Sequence, residues 1–122
     1  MIKIPVSIGE LFDKITILQI KLENIQCPSK KINVEKELNI MQNKAAEMNI
    51  HDILDLIYQL KKINIVLWKL ESAVRKKEQE NVFDFEFIEL ARKIYKTNEQ
   101  RAKLKKQINI VKNSVIIEEK EY

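Results

Sequence analysis

Arg101 is the residue in this chain whose position asks for chemistry. In the last third of the sequence Phe83, Phe87, Leu90, Ile94, Leu104, Ile108 and Val111 fall on a heptad spacing, which Thr97 and Arg101 interrupt. A guanidinium in an apolar seam needs an anionic or carbonyl partner at the same depth, because burying it unpaired is very costly. If the flanking stretches form an antiparallel hairpin bending near residue 82, position i lies level with roughly 164 − i. Arg101, Asn98 and Thr97 then share a layer with Asn64 and Trp68, and Glu71, Arg92 and Tyr95 lie within two turns of it.

Two kinds of chemistry fit such a layer. One is a buried polar layer that fixes helix register, as a polar residue does in a coiled-coil seam. The other is a pocket for a small anion. Arg101 would be its fork, with Asn64, Asn98, Lys105 and Trp68 around it and Glu71, Arg92 and Tyr95 at its edge.

Other candidates carry less. His51 is the only histidine and Cys27 the only cysteine, far apart in sequence, so a zinc site built on them is excluded and a Cys-His nucleophile pair is not expected. Gly9 alone cannot make a phosphate loop. Carboxylate metal sites in bundles use Glu-x-x-His on facing helices, and no such motif occurs. Neither a metal nor a cofactor is therefore expected. Asp13 and Lys14 read as a dipole-compatible acid and a solvated base. Residues 92–112 carry eight basic residues against one acid, Glu99, but they spread around the helix without an aromatic stacking row.

Helices must position these residues. The chain has one Gly and two Pro, both before residue 30, so little punctuates it afterwards. A first helix is predicted over 7–26, opened by a Ser7–Glu10 capping box, with Ile8, Leu11, Ile15, Leu18, Leu22 and Ile25 as its seam. Phe12, Ile17 and Ile20 widen that surface, so this helix should pack on more than one side. Pro28 reads as its stop. A second helix is predicted over 33–48 and a third over 50–80, with Asn49 as cap. The third sets Asn64, Trp68, Glu71, Arg75 and Glu78 along one stripe. The fourth, 84–113, is capped by Asp84, with Phe83 stapling to Ile88, and reads as the main wall of the core with Leu90 and Ile94 at its centre. The two long helices would each run about 45 Å. The ends, residues 2–5 and 114–122, read as extended.

Composition agrees with one all-α domain, an elongated antiparallel bundle of four helices spanning 1–122. Apolar residues make up 45% of the chain, which argues against disorder. Net charge is +4, from 22 basic and 18 acidic residues, and only three of the basic residues are arginine, the side chain best suited to reading nucleic acid. The absence of a long apolar run argues against a membrane span, and a lone cysteine against reliance on disulfides, which together point to the cytoplasm.

Ser7 to Lys21 (SIGELFDKITILQIK), Leu67-Trp68 with Glu71 and Arg75, and Phe87 to Asn109 (FIELARKIYKTNEQRAKLKKQIN) resemble an uncharacterised family of small bacterial and phage proteins, a domain of unknown function. The ending Glu119-Lys120-Glu121-Tyr122 is similar too. The resemblance covers nearly the whole chain and implies no activity, so it assigns no catalytic residue. The expected function is a non-enzymatic helical binding or assembly module that self-associates. The alternatives are a small enzyme or sensor for an anionic metabolite at the Arg101 layer and, behind it, a nucleic-acid accessory protein.

Overall fold

Ser7 starts the first helix as its spacing predicts. Its Oγ accepts from the Glu10 backbone N–H at 3.0 Å, filling one of the donors a helix start leaves open. The other half of the capping box goes elsewhere: the Glu10 carboxylate reaches Lys105 Nζ at 2.6 Å. In this computed structural model, which describes residues 1–121, the helices are α1 (Ile8–Asn24), α2 (Pro28–Ala45), α3 (Leu54–Gln79) and α4 (Phe85–Val111). Tyr122, the last residue of the family-like ending, lies outside the described residues.

Pro28 opens α2 rather than merely closing α1. Proline's missing N–H is harmless in a first turn, and its fixed φ suits a helix start. So α2 begins five residues before the predicted 33. Asn49 does cap locally, accepting from the His51 N–H at 3.0 Å, but a single 3-10 turn, His51–Ile53, comes before α3. Asparagine also closes the two long helices in a chain with hardly any glycine. Asn81 and Asn113 adopt left-handed φ of 56° and 52°. The next N–H returns five residues back in each case, Val82 to Lys77 and Ser114 to Asn109, at 2.9 and 2.8 Å.

Asp84 caps α4 by accepting from the Phe87 N–H at 2.9 Å. Phe83, expected to staple Ile88, is itself half exposed. It meets the Phe87 ring edge-on at 5.3 Å, and Ile88 stays exposed. Residues 115–121 run along α4, with Lys106 on Glu119 at 3.0 Å, and among the described residues no β-bridge joins them to residues 2–5.

The centre of the fold is α1, not α4. It packs against each of the other three helices, α2 rests on α1, and α3 and α4 rest on α1 and on each other. Leu11, Phe12, Ile15 and Leu18 of α1 form the core with Leu38, Ile53, Leu60, Leu104 and Ile108. The predicted seam of α4 is buried only at Leu104 and Ile108; Leu90 and Ile94 are half-buried, and Val111 is exposed. The reason is length. At 17 residues α1 covers little more than half of a 27-residue partner, so the far half of the hairpin has only itself to pack on. No residue of α3 beyond Leu67 is buried, and none of α4 before Leu104.

Gly9 sets how closely α1 and α4 approach. A Cβ there would stand 2.4 Å from the Lys105 carbonyl oxygen, a backbone atom that cannot swing aside. The bare backbone lets the Gly9 N–H donate to Asn109 Oδ1 at 2.6 Å.

Gly9→Ala should therefore destabilise the protein by about 1–3 kcal/mol despite alanine's better helix propensity. Ile108→Ala should cost about 2–5 kcal/mol, and Ile94→Ala clearly less, since Ile108 is fully buried and Ile94 is not. Denaturant titration of the three variants checks the order. Equal losses at Ile94 and Ile108 would contradict the short reach of α1.

Candidate functional site

Asp13 is where α1, α3 and α4 meet, and only 1% of it is exposed. Arg101 approaches with two guanidinium nitrogens, Nε to Oδ1 at 2.9 Å and Nη2 to Oδ2. Asn64 Nδ2 donates to Asp13 Oδ1 at 3.0 Å and to Thr16 Oγ1 at 2.9 Å. The Thr16 hydroxyl in turn donates to the Asp13 carbonyl at 2.9 Å. Lys105 Nζ stands 3.8 Å from the Asp13 carboxylate, 2.6 Å from Glu10 and 3.6 Å from Glu118. Among the described residues no buried side-chain nitrogen or oxygen lacks a hydrogen bond. The anionic partner that Arg101 demands is thus an internal carboxylate.

The electrostatics follow from this packing. The hydrogen bond to Asp13 raises the Arg101 guanidinium above its ordinary value, although burial works against it. Burial pushes the Glu10 carboxyl up, but the hydrogen bond and charge of Lys105 outweigh that and hold it below the ordinary value.

Asp13, read from the sequence only as a dipole-compatible acid, is buried and paired; Lys14 beside it lies nearer solvent, 3.7 Å from Glu10. A signal for Asp13 exists in the sequence. Gly9, Asp13, Thr16 and Ile20 are spaced four, three and four residues apart, which is one stripe of a helix. All four are buried. Small and polar residues on a stripe beside an apolar seam mark a close helix crossing with a polar connection across it.

Beside this knot lies an open cleft of about 640 Å³ between α1, α3 and α4. Its walls are Ile17, Ile20 and Lys21 from α1, Asn64, Leu67, Trp68, Glu71, Ser72 and Arg75 from α3, and Asn98 and Arg101 from α4. Five of the eight residues expected at an anion pocket therefore come together here: Arg101, Asn98, Asn64, Trp68 and Glu71. Lys105 does not. It lines a smaller hollow of about 90 Å³ with Asn98, Arg101, Asn109 and Glu118, and its charge is already met by Glu10. Arg92 and Tyr95 line neither space; Arg92 pairs with Glu89 at 3.8 Å and the Tyr95 ring is exposed. On a helix with 3.6 residues per turn Arg92, nine residues before Arg101, points opposite to it, and Tyr95, six before, points about 120° away. Proximity in sequence placed both in the layer, and helical phase takes them out. Lys21, on the first helix, and Arg75 join the cleft although the layer argument did not include them.

The basic run 92–112 is largely neutralised within the chain. Arg92, Arg101, Lys105, Lys106 and Lys112 pair with Glu89, Asp13, Glu10, Glu119 and Asp52 respectively. Among the described residues no group of three or more His, Cys, Asp or Glu could hold a metal, and no helix is long and apolar enough to cross a membrane.

The chain belongs to a family of unknown function, DUF6165, whose family model matches residues 2–122. No curated protein and no solved structure matches it significantly.

Arg101→Met should strand the buried Asp13 carboxylate and cost about 3–5 kcal/mol; adding Asp13→Leu should recover much of that loss, because replacing both partners removes the uncompensated charge. Urea titration of the single and double variants reads this, and an Arg101→Met curve matching wild type would place the guanidinium in solvent. The Glu10 pair predicts an acid limb. With a folded carboxyl below its unfolded value, its stabilisation is complete above the ordinary carboxylate range near pH ~4.3 and is lost as pH falls through the lowered folded value. Lys105→Met should flatten that limb of a stability–pH profile.

Proposed function

We propose, for this member of a family of unknown function, a non-enzymatic helical binding and assembly module that pairs with a second copy of itself through the outer face of α4. The observation that carries the reading is an apolar stripe that the described residues leave largely exposed. Phe85, Ile88 and Tyr95 are 74%, 52% and 52% exposed. With Arg92 they are spaced three, four and three residues apart, which is one helix face. That face is turned away from Phe87, Leu90 and Ile94, the half-buried stripe directed at α3. Exposed aromatics in a row, flanked by charge, are the pattern of a contact surface.

Charge order favours a second copy as the occupant. Along this stretch the acids come first, Asp84, Glu86 and Glu89, and the bases follow, Arg92, Lys93 and Lys96. An antiparallel, two-fold pairing centred between Glu89 and Arg92 is self-complementary. It sets Arg92 against Glu89 of the partner subunit. The intrachain Arg92–Glu89 contact, at 3.8 Å between half-exposed groups, is weak enough to exchange for it.

Sedimentation velocity over a concentration series tests this. A reversible dimer is expected, with Ile88→Glu remaining monomeric at unchanged melting temperature. A wild-type protein that stays monomeric at high concentration, or a dimer indifferent to Ile88→Glu, would overturn it.

A further inference from the structure

We propose that the cleft between α1, α3 and α4 binds a small organic anion carrying one flat aromatic ring system and one anionic group, a carboxylate or a phosphate monoester. This inference is independent of self-association, which uses the outer face of α4.

Space comes first. About 640 Å³ suits a small molecule, since such sites run roughly 300–1,000 Å³. The ring follows from Trp68, the chain's only tryptophan, which lines the cleft with the apolar side chains of Ile17 and Leu67. An indole face in an open cleft offers a flat partner several ångströms across.

The charge follows from accounting for each cation. The Arg101 guanidinium is committed to Asp13. Arg75 stands 3.6 Å from Glu71, a contact with an exposed guanidinium that leaves most of its donors unused. The Lys21 ammonium has no ion pair or hydrogen bond among the described residues. The cleft's mobile charge is thus Lys21 and Arg75 against Glu71, one net positive.

The hydrogen-bond inventory points the same way. Asn98 Oδ1 accepts from Arg101 at 3.4 Å, which leaves its amide N–H groups unbonded among the described residues. The Trp68 indole N–H is likewise unbonded. Free groups here are mainly donors: Lys21, Arg75, Asn98 and Trp68. Donor-rich walls select an acceptor-rich ligand, and an anion is the strongest acceptor. The rigid Asp13 knot holds Asn64, Asn98 and Arg101 in place before any ligand arrives, which lowers the ordering cost of binding.

The single tryptophan makes the test site-specific. Its emission, excited at the red edge of the tryptophan band, is titrated with benzoate, adenosine 5′-monophosphate, adenosine, benzyl alcohol and inorganic phosphate. Saturable change is expected with benzoate or adenosine 5′-monophosphate; which of them acts tells carboxylate from phosphate. Lys21→Ala should weaken that binding about tenfold, equivalent to ~1.4 kcal/mol, with melting temperature unchanged. Ile88→Glu should bind as wild type does, which keeps this result separate from the assembly question. No saturable change with either ring anion overturns the proposal. Equal binding of adenosine or benzyl alcohol overturns the anionic requirement, equal binding of inorganic phosphate the ring, and unchanged affinity in Lys21→Ala the assigned counter-charge.

Discussion

A carboxylate almost sealed from water governs this fold. Asp13 draws Arg101 from α4 and Asn64 from α3 onto one point of α1. Hydrophobic contacts tolerate sliding, because one leucine serves nearly as well as its neighbour one turn along. A buried charge does not, since any register that leaves it unmet forfeits several kcal/mol. The Asp13 cluster therefore selects one alignment of three helices out of several that the apolar seams alone would allow.

That alignment explains why α1, the shortest of the helices, is nonetheless central. The apolar residues of α1 occupy more than one face, and between them runs the stripe of Gly9, Asp13 and Thr16 that permits close approach and then binds what approaches. The two long helices are held at one end by α1 and extend beyond it, leaving a concave side next to α1 and an outward side with its own aromatic row. One short helix thus creates both candidate surfaces.

Much of this could be read from the residues. The all-helical class followed from the near absence of Gly and Pro together with sustained heptads. Ser7 and Asp84 were recognisable caps because capping is local, needing only a side chain and an N–H three residues away. The demand of Arg101 for a partner was legible, as was its grouping with Asn64, Asn98, Trp68 and Glu71. The partner's identity was not, because Asp13 lies 88 positions away on a helix whose register against α4 is a tertiary property. Arg92 and Tyr95 were misplaced for a related reason: a layer argument fixes height along a helix and leaves direction around it open. The core's true centre was hidden because heptad spacing reveals which face is apolar, not how far a neighbour extends to cover it.

The start of α1 is completed from the other end of the polypeptide. The N–H groups of Ile8 and Gly9 donate to Ser114 and Asn109, 106 and 100 positions away. A ribosome releases these partners in the opposite order to that in which the helix needs them. While the chain is being made, the first helix waits with open donors and an unpaired acid at Asp13, and neither is satisfied until the last turns of α4 have emerged. Such a stretch gains little from folding piecemeal as it is synthesised, and most from folding as one event once α4 is available. The long sequence separations of these contacts make that event slower than in a bundle whose contacts are local.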